Sequence, residues 1–398
     1  MIEDHSRSSP LADPVTSVDV ISLQIALSKP FAFSQPGLIS TRGALIVRLR
    51  TESGLTGYGE GACFGFQPSD IAGAVVKTVL RPLLLNRPIS DSRVLFWTGL
   101  NRLRDFGIAG ATTCALSAVD MALWDLRGKA LGSSIADLLG GRFRSDVEAY
   151  VTSFYSDDSG PRVSESAAKA VDYMAAGYTA FKVKIGFGIA RDVELVSAIR
   201  EAVGDGPKIL VDANRGYTFA LAKRLIGPMS ALRVEWIEEP LALTEVHGYE
   251  LLRSVSQDVL IAGGEGEATV LGFWPLLEMG LVDVLQPDLG VAGGFTGVLP
   301  IVELAQRTGQ IVCPHVWGTV IGQAAALQML ACIPDTPLSR GGYQPMFEYD
   351  LSEHPFRTEL SADRLQAVDG RISIPSGPGL GLTVDDDALE RLAKCSWT

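Results

Sequence analysis

FKVKIG (181–186), KILVDAN (208–214), RVEWIEEP (233–240) and VLIAGGE (259–265) succeed one another along the middle of the chain. Each is a short apolar run carrying ionisable residues towards its end: Lys182 and Lys184, then Asp212, Glu238 and Glu265. Amphipathic stretches with helical spacing, such as residues 192–203, separate them. Strands that alternate with helices in this way are βα units, because a parallel strand needs a crossover to bring the chain back to its starting edge. The pattern continues in both directions, with AYVTSF (149–154) before it and VDVLQPD (282–288), QIVCPH (310–315) and PMFEYD (345–350) after it. Eight such strands close one barrel. From Lys184 to His315 the strand ends recur every 23 to 28 residues, one βα unit each. A barrel gathers the carboxyl ends of its strands at one mouth, where active sites sit. Lys182, Lys184, Asp212, Glu238, Glu265, Asp288, His315 and Glu348 are therefore expected to converge.

Upstream the texture differs. Residues 15–62 read as an antiparallel meander with the hairpin GALIVRLR (43–50), a turn at 51–54 and LTGYGE (55–60). A helix is expected over 110–131, with Leu116, Val119, Leu123 and Leu126 on one stripe and a stop at Gly132. The fold class expected is α/β, a (β/α)8-type, modified TIM barrel with an α+β capping domain. Its divisions are a disordered tail (1–14), the cap (15–145), the barrel (146–360) and a C-terminal segment returning to the cap (361–398). At 398 residues the chain has room for both cores.

The formal net charge of -12, without a basic block, argues against a nucleic-acid partner. Five scattered cysteines form no CxxC pair, so neither disulfides nor zinc is expected. No run of about 18 apolar residues is present. The polar start MIEDHSRSSPLADP lacks the apolar core of a signal peptide. A cytoplasmic protein is expected, with a small-molecule carboxylate as partner, no nucleic acid or membrane, and a homo-oligomeric assembly.

Asp212, Glu238 and Glu265 end three consecutive strands, and three carboxylates meeting at one point repel unless a cation joins them. Hard oxygen ligands with no Cys or His among them favour Mg²⁺. Within IEEP the acids face opposite ways, so one can be a ligand and the other is structural or supporting. Lys182 and Lys184, two apart, share a face. Each lysine's positive charge, and a metal nearby, should depress the other's pKa and make one a base near neutral pH, although a pair that only holds an anion is the competing reading. His315 alone of the four histidines ends a strand, one unit after Asp288, which would orient its imidazole.

The ordered set GYGE, ALSAVDMALWDLRGKALG, FKVKIG, VDAN, WIEEP, GGE, QPD, PH and FE resembles the enolase superfamily and, within it, the mandelate racemase subgroup. The resemblance spans nearly the whole chain and looks most like galactarolactone cycloisomerases and acid-sugar dehydratases. It implies Mg²⁺ on Asp212, Glu238 and Glu265, with Lys184 as one acid/base and His315 paired with Asp288 as the other. It further implies that Lys182 assists an enolate by charge, that Glu348 does so as a hydrogen-bond donor, and that Asn214 contacts substrate or a catalytic group. The implied reaction removes the proton next to a carboxylate, followed by β-elimination from an acid sugar or its lactone. Racemisation of a 2-hydroxy acid and a catalytically silent barrel are the alternatives. Cap loops near 29–42 and 58–67 would choose the substrate.

Overall fold

The computed structural model describes residues 9–397 apart from 36, 64–67, 158–159, 161 and 257. Its first sheet is built from the predicted hairpin and the strand before it: β1 (Val15–Phe31), β2 (Ile39–Thr51) and β3 (Thr56–Gly61), all antiparallel. Alternation along β2 feeds two cores, Leu45, Val47 and Leu49 on one face and Ala44 and Ile46 on the other. The first face is covered by the helix Ala111–Leu131, which ends on left-handed Gly132 as expected. This helix crosses β3 so closely that a Cβ on Gly59 would lie 2.0 Å from the Ala118 carbonyl oxygen. Only glycine permits that approach.

The second unit follows the expected strands in order: β4 (Asp146–Phe154), β5 (Ala180–Lys184), β6 (Lys208–Asp212), β7 (Val234–Glu238), β8 (Leu260–Gly263), β9 (Val284–Leu285), β10 (Ile311–Val312) and β11 (Phe347–Asp350). They pair in parallel from β4 through β10, and β11 returns to pair with β4. The seam between β10 and β11 has no backbone ladder among the described residues; there the Met346 N–H meets Cys313 Sγ at 3.5 Å. Tyr150, Ala180, Leu210, Trp236, Ala262, Val284, Cys313 and Met346, one from each strand or its margin, form a buried cluster inside the ring. Two residues further along every strand lie Thr152, Lys182, Asp212, Glu238, Gly264, Gln286, His315 and Glu348. The two-residue period of a strand stacks this polar layer directly on the apolar one.

One expectation about the ends needs correction. The tail was expected to be disordered to residue 14, but Pro10–Ala12 form a helical turn, Pro14 bridges to Pro88, and Asp13 accepts from the Ser53 N–H at 3.1 Å. Residues 1–8 of that stretch lie outside the described residues. The C-terminal segment returns to the cap twice, first where the Leu380 N–H meets Asp125 Oδ1 at 2.9 Å and the Gly379 N–H meets the Ser133 carbonyl at 2.9 Å, and again at its end. Before either contact, β12 (Ala367–Val368) and β13 (Arg371–Ser373) form a hairpin whose β13 extends the barrel sheet antiparallel to β4, because the unpaired lower edge of β4 is the nearer partner. The helix Asp386–Leu392 and β14 (Ala393–Trp397) then join β1 of the cap. Among the described residues no helix is long and apolar enough to cross a membrane, and Cys63, Cys114, Cys313 and Cys332 are free thiols.

Candidate active site

The polar layer is held by short contacts between neighbouring strands. Lys182 Nζ donates to Glu238 Oε1 at 2.7 Å and pairs with Glu348 Oε1 at 2.6 Å. Lys184 Nζ donates to Asp212 Oδ2 at 2.5 Å and to Asn214 Oδ1 at 3.1 Å. Asn214 therefore touches a catalytic candidate, as expected of it. Gln286 Nε2 donates to Glu238 Oε2 at 2.6 Å, and Thr152 Oγ1 donates to Glu348 Oε1 at 2.8 Å. His315 Nδ1 lies 2.7 Å from Asp288 Oδ2, which leaves Nε2 facing Glu265 Oε2 at 3.4 Å. All of the predicted site residues thus meet at one mouth.

Glu265 gets there differently from the others. Strand alternation from the inward Ala262 puts Gly264 inside and Glu265 outside. Gly264, at φ +116°, breaks the extended geometry, and Glu265 turns back to the mouth. Asn214, Arg215 and Glu239 also take left-handed backbone at φ 41°, 65° and 37°. Such non-glycine positions are uncommon and cluster at functional sites. Here they let Arg215 clamp Glu239 through two hydrogen bonds of 2.7 and 2.9 Å. Glu239, the second acid of IEEP, is therefore the supporting one.

Asp212, Glu238 and Glu265 each offer an oxygen within 4.8 Å of the others. Glu265 Oε2 is buried without a hydrogen bond, its nearest cation being the imidazole already named. Five carboxylates (Asp212, Glu238, Glu265, Asp288 and Glu348) face three cations (Lys182, Lys184 and His315), since Arg215 and Glu239 cancel. The excess is two negative charges, which a divalent cation would balance. Burial and the Asp212 charge push Glu238 up to about 8, so without further positive charge the cluster retains a proton. An all-oxygen set with an unpaired buried oxygen fits a hard divalent ion.

Electrostatics bears on two expectations. Burial lowers the Lys184 pKa most and Lys182 lowers it further, but Asp212, Glu238 and Glu265 together outweigh them and leave it raised. Lys182 is likewise raised well above its ordinary value by Glu238 and Glu348 against the effect of burial. Lys182 thus depresses Lys184, by less than the pull of the carboxylates. Glu348 is no donor in this structure. Against burial, Lys182 and His315 hold it well below the usual carboxylate range, and it accepts from Thr152 and from the Val316 N–H at 3.1 Å. His315 is raised to about 10, burial being outweighed by Glu265, Glu348 and Asp288.

Lys184, Asn214, Arg215, Glu265, His315 and Glu348 line one cavity of ≈ 280 Å³, roofed by Phe33, Tyr155 and Trp317. Phe33 is the cap's part of the roof, and its neighbour Ser34 is packed on the barrel: Ser34 Oγ donates to the Ala213 carbonyl at 2.7 Å, and a Cβ on Gly186 would strike Ser34 Cβ at 2.5 Å. Of the two expected substrate loops, 29–42 lies there, with residue 36 outside the described residues; positions 64–67 of the other are also outside them. Sequence reasoning missed Gln286, Thr152 and Glu60. Gln286 and Thr152 sit one strand period from an apolar barrel residue, a signal that period-two counting from Val284 and Tyr150 would have caught.

A model of the Enolase C-terminal domain-like family matches residues 165–388, and one of the Mandelate racemase / muconate lactonizing enzyme N-terminal domain matches residues 16–140. The chain is 38% identical to a D-galactarolactone cycloisomerase of Agrobacterium fabrum, over 94% of this chain and 97% of that protein. It is 30% identical to an arabinonate dehydratase of Saccharolobus solfataricus, over 87% of this chain and 89% of that one. A racemase from Streptomyces coelicolor solved with bound magnesium superposes with a TM-score of 0.84 at 27% identity, covering 95% of this chain and 99% of that chain.

Proposed function

The chain belongs to the mandelate racemase / muconate lactonizing enzyme family of the enolase superfamily, and from that premise we propose that it eliminates a β-oxygen from an acid sugar or its lactone. The observation that carries the reading is one cavity bearing both Lys184 and His315 beside the acidic triad. The likeness to the cycloisomerase and the dehydratase favours elimination over racemisation and a galactarolactone-like ring among the candidate substrates.

Asp212, Glu238 and Glu265 would hold Mg²⁺, which supplies Lewis acidity towards the substrate carboxylate and so acidifies the neighbouring C–H. Lys184 and His315 would stand on two sides of the substrate. One takes the α-proton, and the electron pair left behind moves into the carboxylate as an enediolate. Lys182 lies in reach of that developing charge, already placed and dry, which is where electrostatic stabilisation is most effective. The pair then returns to form a C=C bond as the β C–O bond breaks, and the other acid/base gives a proton to the departing oxygen. A free hydroxyl leaves as water and the enol becomes a 2-keto acid, whereas a lactone oxygen stays attached and the ring opens. Asp288 holds the His315 ring through Nδ1 so that Nε2 does this work. Phe33, Tyr155 and Trp317 would keep water from the intermediate.

The test is a library of acid sugars and lactones assayed with Mg²⁺ for 2-keto acid formation and for α-proton exchange in deuterated water. Elimination products are expected from at least one substrate. Lys184→Ala should stop exchange for one α-configuration and His315→Asn for the other, each by about 10²–10⁴-fold. Epimers without elimination would replace this reading with racemisation, and full turnover by both variants would remove the two-sided site.

A further inference from the structure

A second cavity, of ≈ 180 Å³, lies behind the roof of the first, in the loop that follows β11. Its wall carries polar atoms that have no hydrogen-bond partner among the described residues. Arg357 is 9% exposed in its side chain and its Nη2 is buried with no hydrogen-bond partner. His354, 7% exposed, buries Nδ1 without a partner as well. Gln323, 2% exposed, lines the same space, and the exposed Arg364 stands at its mouth in none of the ion pairs among the described residues. An orphaned buried donor such as Arg357 Nη2 is costly unless something completes it.

The charge of the cavity is also out of keeping with the chain. In a protein of net charge -12, the space is bordered by Arg357 and Arg364, with Arg42 just behind it. The facing acid is Asp350, and both Arg42 Nη2 and Arg357 Nη1 already pair with its Oδ2, at 3.1 and 3.2 Å. Asp363, beside Arg364, is engaged by the Thr383 N–H at 2.8 Å. Glu353 on the same loop offsets Arg42, so the charge open to the cavity is that of Arg364, which makes no ion pair among the described residues, and Gln323 adds an amide of either polarity. Burial together with Arg357 and Arg42 drives His354 well below its ordinary range, so the ring is neutral and adds no repulsion to a hydroxyl group.

We propose that this cavity is a binding site for a small oxyanion, a phosphate or the carboxylate of a short hydroxy acid, separate from the catalytic mouth and held by Arg357, Arg364 and Gln323. Arginine presents a planar fork suited to such groups. The two cavities share a wall: Tyr155 OH donates to Asp350 Oδ1 at 3.2 Å, and Arg357 Nε donates to the Gly318 carbonyl at 2.9 Å, next to Trp317.

Inorganic phosphate and glycerate are titrated separately into the full chain, in chelator and without divalent ions, and binding is followed by calorimetry. One equivalent of the tighter anion should bind, phosphate or glycerate being identified by which is tighter. Arg364→Ala, which removes an exposed group with no ion-pair partner, should weaken it at least tenfold, as should Gln323→Leu, while Lys184→Ala should leave it unchanged. No binding of either anion at millimolar concentration overturns the proposal. So does binding that Lys184→Ala abolishes, or that neither Arg364→Ala nor Gln323→Leu alters.

Discussion

Gln286 shows how much a single neutral side chain does for a charged cluster. Its amide donates to Glu238 Oε2 at 2.6 Å while Lys182 takes Oε1, so the carboxylate is fixed in rotation with one face free. Groups that orient a metal ligand in this way typically contribute 10–100-fold in affinity. Gln286→Leu, similar in volume, should therefore weaken Mg²⁺ binding by about that factor, read as the metal concentration needed to raise the melting temperature. Glu238→Gln should abolish the metal-dependent rise altogether. A Gln286→Leu titration that overlays the parent's would show the amide to be a bystander. Period-two alternation made Lys182, Asp212, Glu238 and Glu348 legible from sequence, since they lie on one face of adjacent strands. The protonation state of Glu348 was not legible, because it depends on Lys182, more than a hundred residues away in the chain.

The strand β3 carries GYGE, whose Glu60 reads in sequence as the end of a hairpin and proves to be a lock between cap and barrel. Its carboxylate accepts from the Thr319 N–H at 2.9 Å, Thr319 Oγ1 at 2.6 Å and the Gly322 N–H at 2.8 Å. These donors open the helix Val320–Cys332, where free N–H groups and the helix dipole favour an anion even though burial raises the Glu60 pKa. Glu60→Ala would leave several buried donors unmet, at a cost of about 3 kcal/mol. Urea unfolding measures it, and a loss below about 0.5 kcal/mol would mean that water replaces the carboxylate without penalty. The helix itself lacks amphipathic periodicity because it is buried nearly all round, between the barrel and the cap. A stripe-based reading has nothing to find in such a helix.

Across the whole molecule, cap and barrel share one continuous core, and the charged side of their junction runs through Arg42 and Asp350. Arg42 also stacks on Trp317, its guanidinium carbon 4.0 Å from the ring centre. Burial would raise the Asp350 pKa, but Arg357 and Arg42 hold it below 3.8. A carboxylate whose folded pKa is depressed binds its proton more readily when unfolded. Its contribution is therefore complete above the unfolded pKa near 3.8 and is lost as pH falls through the lower folded value. Stability should drop with acid in that window, and Asp350→Asn should flatten the drop while costing about 3 kcal/mol at neutral pH. An unchanged acid slope in the variant would assign the acid sensitivity elsewhere, Asp19 beside Arg48 in the cap and Glu348 in the barrel also having lowered pKa values. The sequence by itself determined the strand order, the barrel and the set of groups at its mouth. Those follow from local periodicities of two and of one βα unit, which a chain cannot satisfy in another arrangement without burying these charges apart from their partners. Tertiary structure alone decided the turn at Gly264 that brings Glu265 inward, the Glu60 lock, the pairing of β13 with the barrel and the charge carried by each acid. These depend on which distant groups come within a few ångströms, and on how much water is left between them.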